Sequence, residues 1–214
     1  MSLNDEIIEL DRLIVEMADV VEKNLVYSIG AYLDYIPGKV YEPVDDDKVN
    51  HYERIVEEKA LNIMLKERTY AKDMRMISGI MTMVEDMERL GDHAEDILRF
   101  ALKLQNTEKH KNTEIENITN HAMKMVSDSF KAYVNKDLEL AKDVIARDDV
   151  VDREYIEILE CLIQADEKKY ISSSFAIYTT LVIKYIERVA DHATNIAEWV
   201  IYIITGYYKD SQIV

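Results

Sequence analysis

Glu88 and Asp92 stand four residues apart in Glu88-Arg89-Leu90-Gly91-Asp92-His93-Ala94, and the grouping returns 99 positions later as Glu187-Arg188-Val189-Ala190-Asp191-His192-Ala193. On a helix, a spacing of four puts both carboxylates on one side, about one turn apart. Asp96 extends the first pair by another turn, and Asn195 takes the matching place in the second. Like charges so arranged cost roughly 0.2–0.5 kcal/mol per pair in an isolated helix. A cation reverses that cost, because carboxylate oxygens are ligands for hard and borderline metals. With further oxygens from a neighbouring helix, one stripe could bridge several ions. The second helix of each half offers them: Asp47 and Asn50 in the first, Asp149 and Asp152 in the second, each pair three apart on one face. The same residues also suit an ordinary helix start, and a solvated helix face carries acidic stripes of this kind too.

The helices that must carry these groups are legible from apolar spacing. Leu3, Ile7, Leu10, Ile14, Met17 and Val21 form one seam, and Pro37-Gly38 should end that helix near Ile36. A second helix should open at Asp45-Asp46-Asp47, whose charges suit a helix N-terminus, and run to about Lys66. The third has an unbroken seam: Met76, Ile80, Met83, Met87, Leu90, Ala94, Ile97, Ala101 and Leu104. Its counterpart 99 positions on reads Phe175, Thr179, Val182, Ile186, Val189, Ala193, Ile196, Val200 and Ile203. The polar run Asn106 to Asn112 reads as a linker, and Thr113 with Glu116 fits a capping box opening the next helix. Helices from about 113 to 135, 137 to 164 and 170 to 204 complete the second half. The chain is thus expected to be all-α, two tandem pseudo-symmetric three-helix bundles over residues 1–106 and 107–214.

With Met87 as origin and about 100° per residue, the seam of the third helix clusters near about 320°, while Glu88, Asp92 and Asp96 fall at about 100°, 140° and 180°. The acids point away from the seam, to an outer face rather than a bundle core. His93 and His192 lie at the edge of the stripe, at about 240°, and suit structural or salt-bridge roles. Arg89 and Arg188 follow the first acid in each copy, for internal pairing or for contact with an anion or partner. Glu85–Arg89 and Glu95–Arg99 are favourable i,i+4 pairs, whereas Glu88, Asp92 and Asp96 have no base at that spacing; in the second copy Lys184 and Arg188 neutralise in part.

Composition narrows the function. With 42 acidic against 26 basic side chains the formal net charge is −16, which repels a phosphate backbone and argues against nucleic-acid binding. Cys161 has no partner for a disulfide and, in an apolar stretch, is expected to be a reduced, buried thiol. The acidic, amphipathic start does not read as a signal peptide. The best candidate for a membrane span, Trp199 to Thr205, falls well below the ~20 residues that a span needs, and charges flank it. A soluble, cytoplasmic protein is expected. The tyrosines, Tyr27, Tyr32, Tyr178 and Tyr185 among them, suit helix packing with wet hydroxyls.

On the duplicated acidic motif, and on the stretch Ala132-Tyr133-Val134-Asn135-Lys136-Asp137-Leu138-Glu139-Leu140-Ala141-Lys142-Asp143-Val144 leading to Asp149-Val150-Val151-Asp152, the sequence resembles the PhoU family of phosphate-specific transport accessory proteins. The resemblance covers nearly the whole chain. It implies multinuclear metal clusters at the acidic motifs, of iron first, with zinc, manganese or magnesium as alternatives. It also implies a non-enzymatic regulator that restrains the high-affinity phosphate ABC transporter, through its ATPase subunit, and signals phosphate sufficiency to a sensor histidine kinase. A homodimer is expected, recruited to the inner face of the membrane by those partners. Asn50 against Asp152 and Asp96 against Asn195 break the repeat, so the two sites need not hold the same number of ions. No phosphate-binding Gly-rich loop or dense basic cluster points to direct phosphate sensing.

Two other functions compete. A ferritin-like di-iron enzyme would use Glu-x-x-His with ligands facing into the bundle, and none of His51, His93, His110, His121 or His192 has Glu three residues before it. A plain helical scaffold would carry the acids for solubility alone. Nucleophilic catalysis has no Gly-x-Ser-x-Gly turn to support it.

Overall fold

The computed structural model describes residues 3–34, 36, 39–65, 71–104, 113–209 and 211–212. Six helices account for most of them: α1 (Leu3–Leu33), α2 (Asp46–Met64), α3 (Ala71–Lys103), α4 (Thr113–Asn135), α5 (Leu138–Glu167) and α6 (Ser173–Thr205). α1–α3 and α4–α6 form the two expected three-helix units. The 106–112 linker, Pro37 and Gly38 lie outside the described residues. α1 ends at Leu33, three residues before the expected Ile36. Proline at 37 would clash with the carbonyl at 33 in a continued helix, which accounts for the earlier stop.

Local chemistry sets the remaining ends. Asp137 caps α5 by accepting from the Leu140 amide at 3.0 Å, and Ser172 caps α6 by accepting from the Phe175 amide at 3.1 Å. α6 stops at Gly206, whose φ of 85° is left-handed. The chain then folds back as two-residue strands, β1 (Tyr207–Tyr208) paired antiparallel with β2 (Ser211–Gln212), and stacks Tyr208 on Trp199 at 4.2 Å.

The core runs through both units. Leu10, Met17 and Leu25 of α1, Met83, Met87 and Leu90 of α3, and Val182, Ala193 and Ile196 of α6 are fully buried. α3 and α6 lie antiparallel against each other and form the most extensive helix pair in the molecule. They pack tightly at Gly79, where a Cβ would stand 2.5 Å from Ile203 Cγ1. A smaller seam joins α1 to α4, where the buried Tyr133 hydroxyl donates to Asp11 and Lys136 Nζ lies 3.9 Å from the same carboxylate.

α2 and α5 are outer helices, each buried along one narrow row: Val49, Val56, Ala60 and Ile63 in α2, and Ala141, Val144, Val151, Ile158 and Leu162 in α5. That narrowness corrects the expectation for Cys161, which is exposed. It sits about 80° round the helix from the α5 row, so an apolar neighbourhood in sequence does not carry it inside. No described helix is long and apolar enough to cross a membrane.

Gly79→Ala should lower stability by about 1–2 kcal/mol, overpacking against Ile203 outweighing the gain in helix propensity. Gly30→Ala, at a helical position with nothing within 4 Å of the added methyl, should raise stability by about 0.5–1 kcal/mol. Urea midpoints of the two variants test the opposite signs.

Candidate functional site

The acidic stripes do not face open water. α2 lies along the stripe of α3, and α5 along that of α6, so each half has a groove with acids on both walls. In the second half, Asp148 and Asp152 of α5 meet Glu187 and Asp191 of α6. Asp152, Glu187 and Asp191 each bring one carboxylate oxygen within 4.8 Å of the other two. Asp148 accepts from Thr194 Oγ1 at 3.1 Å. Burial, then the charges of Glu187, Asp148 and Asp152, push Asp191 up to about 6, against the opposing pull of Lys184. Asp148 is raised by burial and by Asp152, Asp149 and Glu187, with its hydrogen bond from Thr194 acting the other way.

The first half is built alike. Asp46, Asn50 and Glu53 of α2 stand over Glu88 and Asp92 of α3. Asn50 Nδ2 donates to Asp46 Oδ2 at 2.8 Å, while Asp46 Oδ1 is buried with no hydrogen-bond partner. Burial raises Asp46, and Asp92 and Glu95 raise it further. Burial and Asp92 raise Glu88, with Arg89 opposing. The helices close tightly because position 91 is glycine: a Cβ there would come within 3.0 Å of Val49 Cγ1 and 3.2 Å of Asp46 Oδ1.

The expected site residues divide. Glu88, Asp92, Glu187, Asp191, Asn50 and Asp152 line the grooves. Asp47 and Asp149 are exposed, and the aspartates one residue earlier, Asp46 and Asp148, take the inner places. The Asp46–Asn50 and Asp148–Asp152 spacing of four mirrors Glu88–Asp92, a signal that would have found them. Asp96 and Asn195 turn instead into the contact between halves. Asp96 accepts from the Tyr185 hydroxyl and pairs with Arg99, and Asn195 Nδ2 donates to Asp86 at 3.0 Å. Bases at i,i+3 balance part of the acidic charge, Arg99 for Asp96 and Arg89 for Asp92 at 3.4 Å, and Arg89 also lies 3.6 Å from its neighbour Glu88.

His93 and His192 serve that same contact. His192 Nδ1 lies 2.8 Å from Asp86 Oδ1. His93 packs between the rings of Tyr185, at 5.4 Å, and His192, at 5.2 Å, with both ring nitrogens buried and unpartnered. Burial, then His192, Arg188 and Arg89, lower its imidazole to about 4. A cleft of about 520 Å³ opens beside it, lined by Arg89, Arg188, Asp92, Glu95 and Tyr185.

The two helical units, each with acids at matched positions, are matched separately by one and the same domain. A family model described as PhoU domain matches residues 14–101 and 115–200. The chain belongs to the PhoU family. It is 34% identical over 209 residues to the phosphate-specific transport system accessory protein PhoU homolog of Clostridium acetobutylicum, covering 94% of each chain. The corresponding protein of Pseudomonas aeruginosa is 32% identical over 208 residues, 95% of this chain and 85% of the relative. The crystal structure of PhoU from Pseudomonas aeruginosa superposes with a TM-score of 0.89 at 29% identity, over 96% of this chain and 100% of that one. A PhoU structure from Streptococcus pneumoniae shares the fold, with a TM-score of 0.84 at 21% identity, over 98% and 100% of the two chains.

The groove residues have the chemistry to take a hard or borderline metal ion. The donor set is all oxygen, three acids converge in the second half, and a buried carboxylate oxygen lacks a partner in the first.

Because the folded pKa of Asp191 is raised, the folded chain binds the extra proton between about pH 4 and 6, and stability falls as pH rises through that window. In metal-free buffer, Asp191→Asn should be more stable than the unsubstituted chain by about 1 kcal/mol at pH 7.5, discounted for partial exposure. The gap should close below pH 4. Thermal unfolding across that range measures it.

Proposed function

We infer that this chain is a non-enzymatic accessory protein of phosphate-specific transport, one that restrains uptake by the high-affinity ABC transporter when phosphate is abundant. The observation that carries the reading is the PhoU domain match over both halves, together with relatives named as phosphate-specific transport system accessory proteins. Its partners are the transporter's ATPase subunit and a phosphate-sensing histidine kinase. It works at the inner face of the membrane from the cytoplasm, as a homodimer. The two domains are residues 1–106 and 107–214.

The grooves are the metal sites in this reading. Asp148, Asp152, Glu187 and Asp191 would hold ions in the second half, and Asp46, Asn50, Glu88 and Asp92 in the first. Iron is the first candidate, with manganese, zinc or magnesium as alternatives. The metal would supply positive charge that relieves the repulsion among these acids and ties each outer helix to its neighbour. The protein's own part is to hold the acids in place: the Asn50 amide on Asp46, the Thr194 hydroxyl on Asp148 and the packing at Gly91 all fix carboxylates at the groove wall.

A metal-free scaffold has one observation in its favour. Arg89 beside Asp92 and Lys184 on Glu187 already offset part of the acidic charge. Complementation separates the two readings. A strain lacking this gene, grown in abundant phosphate, should derepress transporter expression and phosphate uptake. Wild-type chain should restore repression, and Asp92→Asn/Asp191→Asn chain should not. Rescue by both chains favours the metal-free regulator; unchanged uptake and expression in the deletion strain would sink the regulatory role itself.

A further inference from the structure

The two grooves differ at two pairs of equivalent positions, Lys184 against Glu85 and Tyr155 against Glu53. In the second half, Lys184 places its ammonium 2.7 Å from both oxygens of Glu187 and 5.2 Å from the centroid of the Tyr155 ring. In the first half the matching places hold Glu85 and Glu53, two acids close enough that Glu85 helps raise the carboxyl of Glu53. Where one groove adds negative charge, the other carries a tethered cation seated on an aromatic face. Glu187 is one of the three acids whose oxygens converge, and its side chain is only 13% exposed.

We propose that Lys184 is a built-in counter-ion that competes with the metal for Glu187, setting the metal concentration at which the second groove loads. The inference rests on the metal-site reading given above. Lys184 engages both oxygens of Glu187, so any ion that takes an oxygen of that carboxylate must weaken or break one of these contacts. The ammonium also repels a dication entering among Asp148, Asp152 and Asp191. Both effects act in the same direction, and both are absent at Glu85. The Tyr155 ring, its centroid 5.2 Å from the ammonium, offers that charge a second partner. The second groove therefore stays shut to weakly available metal while remaining paired and folded without it.

The test uses the full chain with the first groove disabled by Glu88→Gln/Asp92→Asn, titrated with Mn²⁺ while free Mn²⁺ is followed by electron paramagnetic resonance. Lys184→Met keeps the apolar stem and removes the charge, and it should bind Mn²⁺ about tenfold more tightly, equivalent to about 1.4 kcal/mol. Asp191→Asn, added to either version, should abolish the binding and so assign it to this groove. Lys184→Gln serves in place of Met if circular dichroism shows the Met variant unfolded. Equal or weaker binding by the Lys184 variant, with binding still lost in Asp191→Asn, overturns the counter-ion role and leaves the metal site standing. No Mn²⁺ bound by any version, including the chain with both grooves intact, overturns the metal site and the counter-ion role together.

Discussion

The antiparallel contact between α3 and α6 is the constraint from which the rest follows. Gly79 lets the helices approach until Ile203 fills the space a methyl would need. Each of these helices is then buried on two sides, by its own unit and by the other, and only a strip is left for polar groups. The acids of both motifs occupy that strip. The outer helices α2 and α5 cover it, which is why residues expected on an open face are half-buried and why burial is the leading cause of every raised carboxyl in the grooves.

What holds the grooves closed against their own charge is apolar packing between the acids. Val49 lies in sequence between Asp46 and Asn50, and Val151 between Asp148 and Asp152, and both are fully buried. Burying one valine contributes roughly 1.5–3 kcal/mol, against roughly 0.2–0.5 kcal/mol for a like-charge pair on a helix. The hydrophobic contribution outweighs the repulsion, so the acids remain gathered without a cation. Preorganisation of this kind is what a binding site built on rigid elements requires.

Much of this was legible in the sequence because it is periodic. The seam from Phe175 to Ile203 is buried at every position named, and that from Met76 to Leu104 at all but its two ends. The repeat of Glu-x-x-x-Asp fixed two walls of the grooves. The other walls were one residue out: Asp47 and Asp149 suggested themselves as helix-start residues, but a rotation of about 100° puts Asp46 and Asp148 inward. Cys161 failed for the converse reason, since hydrophobic neighbours say nothing about which side of an outer helix is covered. Asp96 and Asn195 continued the stripe in sequence, yet the neighbouring half claimed them. Only the packing of α3 on α6 reveals that, because it joins residues about a hundred positions apart.

The contact between halves is also where the two copies of the repeat differ in chemistry. His192 faces Asp86 and His93 faces Tyr185, and positions 86 and 185 are equivalents in the repeat. Asn195 donates to Asp86, while Asp96 accepts from Tyr185, so acid and donor have exchanged places across the pseudo-dyad. In a symmetric pair of identical single-unit chains, position 86 and its mate would be the same residue, and both histidines would meet the same partner. An aspartate on one side and a phenol on the other therefore requires two separately encoded copies. One chain that carries both copies can give each side of the axis its own partner, and the unequal histidine environments are the result.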